Sequence, residues 1–322
     1  MRTKGAEIAV AILLGIIIPA LLISVLQDRN VVRQAATDRS ETTTVDANHG
    51  QEIKVLQEDG TAVPIPLEEY VLCVVLSEMP ADFELEALKA QAVVSRTYAL
   101  RRVKRSWKHD EAPVCVKSSC CQGYCSVAEY LARGGKMESV DKIKTAVNST
   151  AGMVLVYENE LIDATYFSCS GGATEDAEAV WGREIPYLKS VESPGEEDAA
   201  HYVDTVRFTL FEFLDQLGFE GVNKRNIQIG KLESTTGGGV ASIEICGKVF
   251  TGTQLRKLLK LRSTSFMISV VGDTVTITTK GFGHRVGMSQ YGADAMAVCG
   301  ATFGEILSHY YLKTELISFE FD

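Results

Sequence analysis

Apolar residues recur along this chain in three rhythms. The first is no rhythm at all: residues 8–26, IAVAILLGIIIPALLISVL, are apolar almost without a break. At about 1.5 Å per residue such a run crosses a bilayer core of about 30 Å. Arg2 and Lys4 precede it, so the positive-inside rule sets the N-terminus in the cytoplasm and everything after Gln27 outside. A cleaved signal peptide is the competing reading, but its apolar region is usually shorter and no small-x-small pattern follows Leu26. The expected organisation is a cytoplasmic stub and single-pass anchor over 1–27, a polar aperiodic tether over 28–50, and an extracytoplasmic domain over 51–322.

Helical spacing follows. Leu67, Val71, Val74 and Val75 mark one helix and Leu85, Leu88, Ala92 and Ala99 a second. Pro80 breaks the two apart, because the residue before a proline is pushed out of the helical region. Asp82 is the expected cap of the second helix, with Glu84 and Glu86 in its first turn. Glu78 sits in the corner, among Val74, Val75, Leu76, Met79 and Pro80. A carboxyl among such neighbours loses solvation of its charged form, and its pKa rises toward the range useful to a general acid. The bland alternative is a solvated glutamate at a helix end.

From residue 140 the period shortens. A helix over 142–148 leads into strands over 153–157 and 161–167 that predict a hairpin through Glu158, Asn159 and Glu160. Residues 186–198 read as an acidic surface loop, 207–217 as helical or mixed, and 227–246 as strands around Gly237, Gly238 and Gly239. Leu255, Leu258, Leu259 and Leu261 give a helix over 252–261 whose basic face reads as solvated. Strands over 266–271 and 274–279 flank Gly272 and Asp273, a hairpin signal. The fold class expected is α+β: a transmembrane helix, then a mixed helix and antiparallel-sheet ectodomain with a cysteine-rich metal loop over 105–135.

Charge narrows the partners. A net charge of −10 excludes a nucleic-acid footprint. It also suits an anionic wall polymer poorly, so a glycan site must rely on local charge. Of eight cysteines, Cys73, Cys169, Cys246 and Cys299 stand alone as small hydrophobes. Cys115, Cys120, Cys121 and Cys125 cluster just after His109, in a segment too poor in apolar residues to hold itself. Disulfides suit an extracytoplasmic address; zinc suits crowded thiolates and an imidazole.

Two glycine-containing stretches offer recognition surfaces. SCSGGATEDAEAVWG, residues 168–182, puts hydroxyls and two adjacent glycines on a loop, and Trp181 is either a sugar platform or core. KGFGHRVGMSQYGADAMAVCG, residues 280–300, lacks the spacing of a nucleotide-binding loop and of a serine-hydrolase elbow. Its His284, Ser289 and Gln290 fall at a strand-to-helix junction, where exposed amides favour polar recognition.

LSEMPADFELEALKAQAVVSRTYAL and the later G-x-G-H-x-V-G-M-S-Q-x-G-A stretch together closely resemble the two hallmark segments of the stage II sporulation protein D (SpoIID) family. The resemblance implies a peptidoglycan lytic transglycosylase with Glu78 as catalytic acid. It implicates Ser168, Ser170, Gly171, Gly172, Thr174, Glu175, His284, Ser289 and Gln290 in holding the glycan. It also implies a structural zinc on His109, Cys115 and Cys121, with Cys120 and Cys125 as further ligands or a disulfide pair. Context comes with it: forespore engulfment between mother-cell and forespore membranes, peptide-stripped glycan strands as substrate, and amidase and membrane-protein partners (SpoIIP, SpoIIM). A non-catalytic glycan-binding scaffold and a zinc-dependent wall hydrolase are the alternatives, though no H-E-x-x-H occurs.

Overall fold

The computed structural model describes residues 51–105, 108–219 and 227–319. A hairpin of β1 (Glu52–Leu56) and β2 (Ala62–Pro66) opens it, and Pro66, with φ fixed near −52°, starts helix α1 (Leu67–Glu78). Met79 turns to extended backbone before Pro80, so α1 ends with Glu78 as its last residue. Helix α2 (Leu85–Arg105) begins three residues beyond Asp82, which therefore does not cap it. The Glu84 N–H is held instead by the Asp294 carboxylate at 2.6 Å.

Thirteen of the 21 residues of α2 are buried, more than one amphipathic stripe supplies. Small residues such as Ala87, Ala90, Ala92 and Ala99 let neighbours close in from several sides, so α2 runs through the middle of the main core. Strand β3 (Val114–Cys115) then pairs parallel with β1, Cys115 opposite Leu56. Helices α3 (Val127–Ala132) and α4 (Met137–Ser149) precede a hairpin of β4 (Met153–Tyr157) and β5 (Glu160–Leu161). Its two-residue turn places both Glu158 and Asn159 at positive φ, 51° and 62°, as the twist of a tight hairpin demands.

The strand expected over 161–167 does not form as one piece. After Leu161 the chain leaves this sheet, and β6 (Tyr166–Phe167) finds a different partner. A short pair, β7 (Gly172–Ala173) and β8 (Glu192–Ser193), encloses α5 (Ala177–Trp181). A second hydrophobic core then gathers β9 (Val203–Thr209), α6 (Leu210–Gln216), β11 (Val240–Ile245), β12 (Lys248–Thr251), α7 (Gly252–Leu258), β13 (Ser265–Val271) and β14 (Thr274–Lys280), with the exposed β10 (Ile229–Ser234) paired to the edge of β11. The chain returns through β15 (Met288–Ser289), which pairs parallel with β6, to α8 (Gln290–Val298), α9 (Phe303–Tyr310) and β16 (Glu315–Ser318), the last antiparallel to β4.

Among the described residues no helix is long and apolar enough to cross a membrane. This overturns the expected fold class with its transmembrane helix, and with it the expected single-pass membrane location. The longest described helix, α2, carries Lys89, Arg96, Arg101 and Arg102 within it, which a bilayer core rejects. The apolar run 8–26 that carried the expectation lies outside the described residues, as does the tether over 28–50. What is established is the mixed helix and sheet fold that follows them.

Arg96 ties this fold together. Wholly buried, it bonds both oxygens of Glu68 on α1, at 2.8 Å from Nε and 2.5 Å from Nη2, and donates from Nη1 to the Met153 carbonyl at 3.1 Å. Breaking one side of a buried ion pair costs about 3–5 kcal/mol. Arg96→Ala is expected to lower the urea unfolding free energy by about 3 kcal/mol, the low end because Glu68 keeps some water; a loss below about 1 kcal/mol would be that of a surface pair.

Candidate active site

Glu78 opens onto a cleft of about 580 Å³. Its walls come from α2 (Tyr98), the loop after β3 (Ser118, Cys121, Gln122), β6 and its flanks (Thr165 to Ser168), α7 (Arg256), and the turn into β15 and α8 (Phe282, Gly283, His284, Gln290). The acid is half-buried, and loss of water raises its pKa above the usual glutamate value. Three donors act the other way: the Gly123 N–H, the Tyr166 hydroxyl and the Gln290 amide. The carboxyl is thus kept protonated further up the pH scale than in water, yet has partners ready when it ionises.

Gly123 was not picked out by sequence pattern. Its N–H bonds Glu78 Oε1 directly, and a Cβ built on it would lie 2.7 Å from Ser77 Oγ and 2.9 Å from Glu78 Oε1. Only a bare backbone approaches this closely. Behind it stands a relay of side chains: Tyr70 donates to Gln122 Oε1 at 3.3 Å and Gln122 to the Tyr166 hydroxyl at 3.2 Å.

His284, expected to touch glycan, also faces the cleft. Burial first, and the Arg256 cation second, lower its pKa to about 4. It is neutral at physiological pH, with Nδ1 accepting from the Val286 N–H at 3.1 Å, so the ring proton sits on Nε2. Phe167 and Trp181 flank the imidazole, ring centroids 5.6 and 5.5 Å away. Trp181 is 44% exposed, so it is not a core residue.

The parallel pairing of β6 with β15, Tyr166 opposite Met288 and Phe167 opposite Ser289, brings the two glycine-containing segments together. Gly287, at φ 84°, permits it: a Cβ there would sit 2.1 Å from the Thr165 carbonyl oxygen. Of the residues expected to hold glycan, Ser168, His284 and Gln290 line the cleft beside Glu78. Ser289 lies buried just behind, capping α8 through the Gly292 N–H at 3.2 Å.

Ser170, Thr174 and Glu175 are buried and are not among the residues lining the cleft. Ser170 Oγ donates to Glu196 at 2.9 Å, Thr174 Oγ1 accepts from the Val191 N–H at 2.8 Å, and Glu175 meets Arg285 at 3.0 Å with both side chains 1% exposed. Arg285 adds bonds to the carbonyls of Ser170, Ala173 and Gly237. The reason is energetic: a buried carboxylate and guanidinium are tolerated when paired, and Glu175 Oε1 also accepts from the Thr235 hydroxyl and the Gly239 N–H. Gly171 and Gly172, at φ 77° and 117°, shape the turn around Glu196, which also accepts the backbone N–H groups of Ser170 and Gly171. Glu196 itself, read as part of an acidic surface loop, is 1% exposed.

His109, Cys115, Cys120 and Cys121 converge, one ligand atom from each lying within 4.8 Å of the others. Cys121 Sγ is 3.5 Å from His109 Nε2 and Cys120 Sγ 3.8 Å. The fourth member of this cluster is thus Cys120. Cys125 is buried elsewhere, its N–H on the Cys73 carbonyl, and all eight cysteines are free thiols, so no Cys120–Cys125 disulfide forms. Three thiols and an imidazole are a donor set able to hold a metal ion. The next residues are Gln122 and Gly123, so the cluster adjoins the wall that contacts Glu78.

An acid of raised pKa lining a cleft is the equipment of an acid–base enzyme. A family model described as SpoIID, stage II sporulation protein, matches residues 57–157, which include Glu78, the His/Cys cluster and Gly123. The chain is 38% identical to stage II sporulation protein D of Bacillus subtilis (strain 168) over 98% of this chain and 96% of that one. It is 42% identical to the protein of the same name from Bacillus amyloliquefaciens over 78% and 74%, and 29% identical to a Bacillus subtilis (strain 168) protein named amidase enhancer over 76% and 40%. The chain belongs to the stage II sporulation protein D family, which supports a role in sporulation and is consistent with a cell-wall-modifying enzyme.

Gly123→Ala tests the close approach. A displaced N–H stabilises the Glu78 carboxylate less, so its pKa moves further up, while the misplaced acid works less well. NMR titration of the carboxyl is expected to show this upward shift in an otherwise folded protein; an unchanged pKa would mean that the backbone contact does not matter.

Proposed function

We propose that this chain is a lytic transglycosylase that cleaves the N-acetylmuramic acid to N-acetylglucosamine bond of peptidoglycan glycan strands, leaving 1,6-anhydro ends, at forespore engulfment in sporulation. One observation carries the reading: among the described residues lining the cleft, Glu78 is the only carboxyl. Glycosidases that use water require two, an acid and a base or nucleophile. A transglycosylase manages with one, because the second nucleophile belongs to the sugar.

Protonated Glu78 gives its proton to the glycosidic oxygen as the bond to the anomeric carbon breaks. The resulting carboxylate is met by Gly123 N–H, Tyr166 hydroxyl and Gln290 amide. It then accepts the proton of the muramyl 6-hydroxyl as that oxygen bonds to the anomeric carbon. Glu78 ends as it began, and no water is consumed. The intramolecular hydroxyl brings a high effective concentration, which lessens the need for a second activating group. Ser168 and Gln290 offer polar contacts to sugar hydroxyls, and the exposed Trp181 ring offers a flat face.

A structural zinc suits His109, Cys115, Cys120 and Cys121. Zn–S bonds of about 2.3 Å set tetrahedral sulfur atoms roughly 3.8 Å apart, and the cluster's ligand atoms lie within 4.8 Å of one another. Four protein ligands would fill the shell, which favours a cross-link holding Gln122 and Gly123 against Glu78 over a wall hydrolase that activates water at the metal. An amidase that strips stem peptides is the partner this reading calls for upstream.

Replacing Glu78 by Gln keeps the shape and removes the proton. Glu78→Gln is expected to lower turnover on peptide-free glycan strands by about a thousandfold or more while glycan still binds. The activity of the unsubstituted enzyme should fall as pH rises through a pKa above 4.5, since the protonated form starts the reaction. Near-normal turnover by Glu78→Gln would defeat the assignment.

A further inference from the structure

Helix α7 belongs to the second core, into which it sends Leu255, with Leu259 following just beyond its end. The basic side of this segment was expected to face water, yet Arg256 lines the same cleft as Glu78 and also a neighbouring depression of about 240 Å³ that Thr253, Lys257 and Leu261 complete. Arg256 is half-buried. Its Nε donates to the Arg262 carbonyl at 3.2 Å, and it forms no ion pair with a carboxylate among the described residues. Burial without such a partner lowers its pKa, and its charge is felt by His284, which lines the same cleft. A protein of net charge −10 has therefore placed an uncompensated guanidinium in its cleft wall.

Two costs attend that choice. The cation has lost water without gaining an anion, and it opposes the positive charge that develops at the anomeric carbon when a glycosidic bond breaks. Both vanish when the ligand supplies a carboxylate, which a guanidinium accepts with two parallel hydrogen bonds. Building on the transglycosylase reading, we infer that Arg256 is a specificity residue that binds a free carboxylate carried by the glycan next to the cleaved linkage. On a muramic acid this is the lactyl carboxylate, which is a carboxylate only when no stem peptide is attached; with a peptide in place the same group is a neutral amide. Arg256 thereby reads, through one charge, whether the peptide has been removed.

Binding separates this inference from the chemistry. The probes are a short peptide-free glycan oligosaccharide with free lactyl carboxylates and the same oligosaccharide with each lactyl group converted to its methylamide, titrated into Glu78→Gln protein so that neither is cleaved. The free acid is expected to bind about tenfold to a hundredfold more tightly, the range of one charge-assisted contact. Adding Arg256→Gln should erase that preference and leave the methylamide affinity unchanged, which also shows that the fold is intact. Arg256→Lys, keeping the charge without the fork, should fall between. A preference that survives Arg256→Gln, or equal weakening toward both probes, overturns the inference. Failure of the unsubstituted enzyme to make anhydro ends, with the charge preference present, counts instead against the transglycosylase reading.

Discussion

A single backbone N–H, that of Gly123, pressed against the carboxyl of Glu78, is the contact on which the site depends. Burial alone makes a glutamate a weak acid and a poor partner for its own conjugate base. A donor aimed at the same oxygen restrains that shift and orients the group. Neither helix α1 nor the loop provides this by itself: α1 brings the carboxyl to its last residue, and the loop brings a position with no side chain.

Much of the molecule reads as support for that contact. Pairing of β3 with β1 fixes Cys115, and Cys120 and Cys121, which converge with it and His109, lead directly into Gln122 and Gly123. Across the cleft, the buried Arg285 and Glu175 pair, with Glu196 gathering the Ser170 turn, clamps the opposite wall. Conserving an open cleft between two clamped walls removes the reorganisation that a looser site incurs at the moment of reaction.

The two helices and their corner were legible in the sequence because period and proline act locally; so was the hairpin at Gly272. Strand ends after Leu161 were not, because β6 pairs with β15 more than a hundred residues away, and period says nothing about partners. The same blindness hid the burial of Glu175 and Glu196, because their cation and N–H donors, here Arg285 and the Ser170 turn, arrive from elsewhere in the chain. Gly123 left no signal beyond being a glycine, and Arg256 was hidden in a helix whose leucines explained themselves. Cys120 was visible as an open choice, which the convergence of four ligands resolves at the level of geometry.

In the proposed reaction one carboxyl suffices because the sugar's own hydroxyl completes it. Cleaving peptide-free glycan strands in water enriched in heavy oxygen, then weighing the new ends, tests it most directly. Anhydro ends carrying none of the label are expected. Reducing ends with one heavy oxygen at the anomeric carbon would show that water attacks, and that a second group not found in this cleft activates it.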